Sequence, residues 1–145
     1  MSRLRKYRAL TPAARTLVRQ SILLLPLVAL SLRLRGMART RALLQRLGRN
    51  KAHRAATLGP REIARLVDAS AALVHASCLP RTLVLWHFVR DLGAAAELRL
   101  GVSRQADGRL AAHAWLEFDG QPLNEAADVF ERYAALPSTP EQISP

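Results

Sequence analysis

Residues 77–83 read SCLPRTL and contain Cys78, the single cysteine in a chain of 145 residues. Proline is tolerated in the first turn of a helix and disfavours helical geometry in the residue before it. We therefore expect a helix to begin near Cys78 and to run to Leu92, with Gly93 as its cap. At a helix N-terminus, the macrodipole and the free backbone N–H groups stabilise a thiolate or an oxyanion. The position of Cys78 thus predicts a nucleophile.

A histidine and an acid follow this cysteine in the chain. His113 opens the string HAWLE (113–117), and Glu125 stands 12 residues after it. A cysteine nucleophile needs an imidazole to accept its proton and a third polar group to hold that imidazole. The order cysteine, histidine, acid is the one used by transglutaminase-like and papain-like thiol enzymes. The sequence therefore predicts a cysteine protease or an acyltransferase.

Two periodicities divide the chain. Apolar residues recur at helical spacing up to Leu92, and from Glu97 the period changes to two, as in strands. These patterns predict an α+β fold, in which a basic, apolar helical region (1–56) precedes a core (57–136). The order of Cys78, His113 and the acid favours a core of the transglutaminase-like or papain-like type. In that core we expect the cysteine helix to pack on a small antiparallel sheet, and residues 137–145 are predicted to be a disordered tail.

The register of the last predicted hairpin decides which residue orients His113. If residues 118–120 form a three-residue loop with Gly120 as a bulge, Glu125 lies directly opposite His113. If the loop has two residues, Asn124 occupies the histidine face instead. We favour the three-residue loop and Glu125, and Asn124 is the alternative third residue.

The N-terminal region is basic and apolar. Fifteen Lys and Arg and no acid occur up to Arg61, so the remaining 22 − 15 = 7 bases face all 11 acids. Thr11 and Pro12 predict a helix start, and Gly36 predicts its end, before a second short helix (38–47) and a basic linker (48–59). Such a region attracts polyanions, so the sequence leaves three kinds of binding partner open: nucleic acid, an anionic membrane and an acidic protein.

The apolar run 22–32 is shorter than the roughly 20 residues of a membrane span, and Pro26 lies inside it. We therefore expect it to pack on the domain or on a partner protein, in preference to a membrane surface. A single cysteine and the lack of a signal-peptide pattern favour a cytoplasmic location, with peripheral membrane contact left open.

The sequence also predicts where several other aromatic, acidic and histidine side chains lie. Trp115 is expected in the core and as a wall of the substrate cleft, and Glu117 at the rim of that cleft. His75, Cys78 and His113 are too few ligands to predict a metal site, and His87 is expected to be a packed or surface histidine. Phosphate-binding glycine loops are absent from the sequence, so no cofactor is expected.

Three blocks of the sequence resemble the protease component of lasso-peptide biosynthesis, a transglutaminase-like cysteine peptidase. They are CLPRTL (78–83), AELRLGV (96–102) and AHAWLEFDG (112–120) followed by LNE (123–125), and the arginine-rich helical N-terminus is similar too. The resemblance implies a leader peptidase, the protease half of the split B protein, with Cys78 as nucleophile and His113 as base. Glu125 matches the family's third residue, which is commonly aspartate.

The resemblance also implies partners. These are a precursor peptide as substrate, a separate leader-recognition protein of the winged helix-turn-helix type, and an ATP-dependent, asparagine-synthetase-like cyclase; no nucleic acid is expected. Two other classes use the same residues differently. An acyltransferase or amidase would keep the Cys–His pair, whereas a basic protein that only binds nucleic acid or a membrane surface would make both residues structural.

Overall fold

The computed structural model describes residues 7–48, 58–90, 92 and 95–137. The regular elements in these ranges are α1 (Pro12–Leu47), α2 (Pro60–Leu73), α3 (Cys78–Val89), β1 (Ala96–Arg104), β2 (Leu110–Phe118), β3 (Gln121–Pro122), α4 (Val129–Arg132) and β4 (Ala134–Ala135). The strands form one antiparallel sheet in the order β3-β2-β1-β4. Long helices followed by a small antiparallel sheet confirm the predicted α+β class.

Helix α1 begins and bends where the sequence predicts. The Thr11 hydroxyl accepts a hydrogen bond from the Ala14 N–H at 3.2 Å, and Pro12 takes the first helical position, where its missing N–H removes no hydrogen bond. Gly36 has a φ of +78°, a left-handed conformation that glycine adopts without steric cost. It divides α1 into a first segment (12–35) and a second segment (37–47), as expected.

The N-terminal region packs into the same core as the rest of the chain. Leu17, Leu25 and Leu44 of α1 are buried in one cluster with residues of α2, α3 and the sheet. At the end of α1, the Arg90 guanidinium donates hydrogen bonds to the carbonyls of Leu44 and Gln45 at 3.2 and 3.1 Å. These bonds satisfy carbonyls that a helix end leaves without partners. The expected boundary at 56/57 lies outside the described residues.

Helix α1 is long and apolar enough to cross a membrane by length and composition, with a mean hydropathy of 1.6 over its most apolar 18 residues. The apolar run 22–32 alone is too short, but the helix extends beyond it on both sides. Core helices of soluble proteins pass the same test, and 28% of this window is buried against the rest of the chain.

A tight turn between α2 and α3 places the cysteine. Helix α2 ends at Leu73, and His75 adopts a left-handed φ of +53°. The Ala76 N–H donates to the Ala71 carbonyl at 2.9 Å, which closes the helix end in the manner of a Schellman turn. Helix α3 then begins at Cys78 as predicted and ends at Val89, while the expected cap at 93 lies outside the described residues.

The hairpin between β2 and β3 has a two-residue loop, so the expected three-residue loop is wrong. Glu117 pairs with Pro122 and Phe118 with Gln121, which leaves Asp119 and Gly120 as the loop. Their φ angles of +53° and +75° are both left-handed, as a type I′ turn requires. Asp-Gly is a preferred sequence for that turn, and its twist matches the twist of the flanking strands.

Candidate active site

Cys78 occupies the first turn of α3 and is partly exposed. The preceding residue, Ser77, is the N-cap, and its side chain makes no capping hydrogen bond. Backbone N–H groups in the first turn of a helix have no acceptor within the helix. The sulfur therefore lies at a helix end whose free donors and dipole favour negative charge.

His113 lies on β2 and is held by Glu125. Its Nε2–H donates to Oε1 of Glu125 at 2.8 Å, and both side chains are largely buried. Because a carboxylate only accepts hydrogen bonds, this contact fixes the proton of the neutral imidazole on Nε2. The Nδ1 atom then carries the lone pair, and within the described ranges no group forms a hydrogen bond with it. The imidazole is thus prepared to accept a proton at Nδ1.

Two arginines lie beside the carboxylate of Glu125. The Arg81 Nη2 donates to the same Oε1 at 2.7 Å, and Arg132 lies 3.7 Å from Oε2. Burial by itself would raise the pKa of Glu125, but the hydrogen bonds and positive charges of His113 and Arg81 outweigh it and lower the pKa from its ordinary value. The carboxylate is therefore charged at neutral pH.

Arg81 connects the acid to the helix of the nucleophile. It lies three residues after Cys78 on α3, and its Nε is 3.6 Å from Oδ1 of Asp68 on α2. Burial raises the pKa of Asp68 more than the charge of Arg81 lowers it. The sequence assigns no role to Arg81 or Asp68, because the contacts of Arg81 with Asp68 and with Glu125 join parts of the chain that are far apart in sequence.

Thr82 joins the turn of Cys78 to the strand of His113. Its hydroxyl lies 2.8 Å from the carbonyl of Cys78 and 3.1 Å from the carbonyl of Ala114, the residue after His113. One buried hydroxyl therefore fixes the start of α3 against β2. This contact places the helix end that bears Cys78 beside the strand that bears His113.

Asn124, the alternative third residue, contacts the backbone and not the imidazole. Its Oδ1 accepts a hydrogen bond from the Leu116 N–H at 2.8 Å, and its Nδ2 lies 3.5 Å from the Thr82 hydroxyl. In a two-residue loop register, Asn124 was expected on the histidine face. Instead β3 ends at Pro122, and the chain leaves the sheet so that Glu125 reaches His113.

Aromatic rings support the other side of the imidazole. His113 stacks on Tyr133, with ring centroids 5.0 Å apart and planes 28° apart, and on Trp115 at 6.3 Å. Gly101 of β1 lies opposite His113 of β2. Because Gly101 has no side chain, Trp115 and Tyr133 fill the space beside it. Tyr133 was not singled out from the sequence, since only the return of β4 to β1 brings it to the histidine.

The expected cleft residues are buried. Trp115 is fully buried, and Glu117 is 8% exposed and accepts hydrogen bonds from Arg99 Nε at 3.1 Å and Trp115 Nε1 at 3.4 Å. Neither side chain lines an open cleft in this structure, because the residues that follow β3 return over this face of the sheet. Trp115 supports His113, and Glu117 pairs with Arg99.

The other two histidines that the structure describes are separate from this site. His75 is exposed at the turn before α3, and His87 is buried with its Nδ1 3.1 Å from the Leu44 carbonyl. Among the described residues, no three His, Cys, Asp or Glu side chains are placed to hold a metal ion.

Substitutions at positions 124 and 125 separate the two candidates for the third residue. Glu125→Gln is expected to lower turnover about 10²-fold, because the amide cannot stabilise the imidazolium as a carboxylate does. Asn124→Ala is expected to leave turnover nearly unchanged and to lower the free energy of unfolding by about 1–2 kcal/mol, since the Leu116 N–H loses its acceptor. Steady-state kinetics of both variants measure the change in turnover, and urea unfolding measures the change in the free energy of unfolding. The reverse pattern would show that Asn124 orients the histidine.

The lowered pKa of Glu125 predicts an acid-sensitive contribution to stability. A carboxylate whose pKa is lower in the folded than in the unfolded state stabilises the fold above its unfolded pKa, and this stabilisation is lost as the pH falls through the folded pKa. The difference in melting temperature between the wild type and Glu125→Gln should therefore be constant above the ordinary glutamate pKa and shrink below it. A difference that grows on acidification would contradict the assignment.

Comparison with protein families gives one match. The model of a family described as the transglutaminase-like superfamily matches residues 21–138, which is most of the chain. Comparison with curated proteins and with solved structures gives no match.

Proposed function

Because the chain belongs to the transglutaminase-like superfamily of papain-like cysteine proteases and acyltransferases, we propose that it is the peptidase that removes the leader from a lasso-peptide precursor. The observation that carries the catalytic part is the hydrogen bond from His113 Nε2 to Glu125. It leaves Nδ1 as the basic atom of the imidazole, on the strand that Thr82 joins to the start of the helix that bears Cys78. The three sequence blocks that resemble the lasso-peptide protease support the choice of substrate.

The residues suit a two-step thiol mechanism. Nδ1 of His113 accepts the proton of the Cys78 thiol as the sulfur attacks the carbonyl carbon at the leader–core junction. Backbone N–H groups at the start of α3 are placed to stabilise the resulting oxyanion. The C–N bond then breaks, the imidazolium gives its proton to the leaving amine of the core, and the leader remains as a thioester on Cys78.

Water completes the reaction. Nδ1 of His113 takes a proton from the water as its oxygen attacks the thioester carbonyl, the C–S bond breaks, and the sulfur recovers a proton from the imidazolium. The leader leaves with a new carboxylate. Throughout both steps, Glu125 and Arg81 hold the imidazole in one orientation and tautomer, which is the role of the third group in a triad.

The proposed partners follow from the same resemblance. A separate recognition protein of the winged helix-turn-helix type presents the leader, and an ATP-dependent cyclase uses the amine that cleavage frees. The site acts in the cytoplasm, where a free thiol stays reduced.

The test uses a lasso-type precursor peptide and its recognition protein, which are to be sought in the neighbouring reading frames. Incubation with the full chain in water enriched in heavy oxygen should give leader and core by mass spectrometry, with one heavy oxygen in the new leader carboxylate. Leader that forms an amide with an added amine, and gains no heavy oxygen, would identify an acyltransferase. An intact precursor under all conditions would contradict the peptidase proposal.

A further inference from the structure

The first segment of α1 has two apolar faces, and the described residues cover only one of them. Leu17, Leu25 and Val28 are buried in the core. A second set of leucines follows a spacing of four, three and four residues and is 54–73% exposed: Leu23, Leu27, Leu30 and Leu34. A stripe at this spacing is the seam of a helix that packs against another helix.

The bend at Gly36 turns this stripe into one wall of a groove. The second segment of α1 returns alongside the first, and its Leu43 and Leu47, which are 41% and 45% exposed, line the same space. We call this space of about 340 Å³ the leucine groove; Leu27, Leu30, Leu34, Leu43 and Leu47 are among the residues that line it.

Buried polar contacts hold the groove in shape. The Thr40 hydroxyl donates to the Gly36 carbonyl at 2.8 Å and accepts a hydrogen bond from the Ser31 hydroxyl at 2.8 Å. Thr40 is 1% exposed and lies in the lining of the groove together with Leu44. The bend is therefore fixed by hydrogen bonds from both segments, and the groove is formed before anything binds to it. A partner that binds a preformed groove loses less conformational entropy than one that binds a groove which must first be ordered.

The charged side chains on the two segments of α1 that form the leucine groove are all basic. Arg33, Arg35, Arg39 and Arg46 are exposed on the two segments that form it, and Arg35 lines it. The sequence has no acid before Glu62 that could neutralise them within this region. An apolar groove with a basic rim is complementary to a partner that is apolar at its centre and acidic at its edges.

We propose that the leucine groove binds an amphipathic helix of a partner polypeptide, with leucine-type side chains on one face and acidic side chains beside them. Two helical walls with heptad-type spacing fit a third helix, which is a recurrent mode of peptide recognition. A second copy of this chain would bring arginines against arginines. Residues 138–145 contribute one acid, one isoleucine and two prolines, which is too little apolar surface for this groove.

A membrane surface fits the groove less well than a helix does. Lipid binding requires apolar side chains that point outward from one convex or flat face. Here the leucines of the two segments line a shared space of about 340 Å³, which suits an inserted helix better than a planar surface. The inference deepens the proposed function, because the helix would belong to the protein that presents the leader.

Binding can be measured without cleavage, which separates this inference from the catalytic one. The full chain with Cys78→Ser is titrated into a fluorescent synthetic helix that has leucines at heptad spacing and glutamates beside them, and anisotropy is recorded. The matched helix has lysines in place of the glutamates. We expect the acidic helix to bind at least about tenfold more tightly at low salt and to weaken as salt screens the arginines.

Two variants of the chain locate the contact. The double substitution Leu27→Asp and Leu34→Asp is expected to weaken binding of the acidic helix at least about tenfold, because it places charge in the groove and removes apolar contact. The control is Leu110→Asp, at a leucine of β2 that is 67% exposed and far from the groove in sequence; its binding should equal that of the parent chain. Circular dichroism checks that both variants stay folded.

Other outcomes overturn the proposal. Equal binding of the acidic and basic helices, or equal loss in the Leu110→Asp control, would show non-specific contact. Tighter binding to phosphatidylglycerol vesicles than to the acidic helix, with the same dependence on Leu27 and Leu34, would assign the groove to a membrane. A dimer in sedimentation that the double substitution dissociates would assign it to a second copy of the chain.

Discussion

Replacement of Cys78 by alanine is expected to lower precursor cleavage at least about 10³-fold. Removal of the nucleophile eliminates the thioester route and leaves only whatever the remaining groups do for direct attack by water. Quantitative mass spectrometry of leader release under single-turnover conditions measures the loss. Cys78→Ser keeps a weaker nucleophile in the same place and should retain little activity, because a hydroxyl is far less readily deprotonated than a thiol.

The control for Cys78 is His75→Asn. His75 lies three residues earlier, is exposed, and has the left-handed φ that asparagine also adopts. We expect this variant to cleave at the wild-type rate. Cleavage by Cys78→Ala at a rate close to that of His75→Asn would show that the thiol has no part in the chemistry.

Substitution of Gly101 by serine is expected to lower the free energy of unfolding by about 2–3 kcal/mol, the cost of overpacking a filled space. A Cβ atom at this position would lie 2.7 Å from the ring of Trp115 and 2.9 Å from Cβ of Tyr133. Trp115 is fully buried and cannot move aside without disturbing the sheet. Because both rings stack near His113, turnover should fall as well.

The same substitution at Gly59 provides the control. A Cβ atom there meets no atom within 4 Å, and Gly59 is the N-cap of α2, where serine is a favoured residue. Gly59→Ser should leave the urea midpoint unchanged or raise it slightly. If Gly101→Ser unfolds at the same urea concentration as Gly59→Ser, the close packing of Trp115 and Tyr133 on β1 is not present in solution.

The sequence predicts those features that depend on local geometry. Proline at position 80 requires a break before it, and so the start of α3 at Cys78 follows from the first turn alone. The bend of α1 requires a residue with a left-handed φ, and Gly36 predicts its position because glycine adopts that conformation without steric cost. The alternation of residues 110–118 gives strand β2, with His113, Trp115 and Glu117 on one face.

Features that depend on where the chain runs after a turn cannot be predicted from the hydrophobic pattern of the sequence. A glycine at position 120 suits the bulge of a three-residue loop, which is why the sequence favours that loop, but Asp119 and Gly120 together satisfy a type I′ turn. Glu125 nevertheless reaches the imidazole, since the chain leaves the sheet soon after Pro122. A strand register describes only residues that stay in the strand.

The buried state of Trp115 and Glu117 has a similar origin. Alternation shows that they share a face with His113, but it does not show what covers that face. Tyr133 covers it by stacking on His113 and Trp115, and it arrives there only because β4 pairs with β1. Likewise, Arg81 and Thr82 contact Glu125 and Ala114 over separations of 44 and 32 residues, which no local signal reports.

The central claim is that His113 activates the thiol of Cys78, and the rate of Cys78 alkylation by iodoacetamide tests it without any knowledge of the substrate. The rate is measured at about pH 6, where an ordinary thiol reacts slowly, for the wild type, His113→Ala and the His75→Asn control. We predict that the wild type and His75→Asn react at least about tenfold faster than glutathione and that His113→Ala loses this advantage. Equal rates for the wild type and His113→Ala would contradict the claim that these two residues act together.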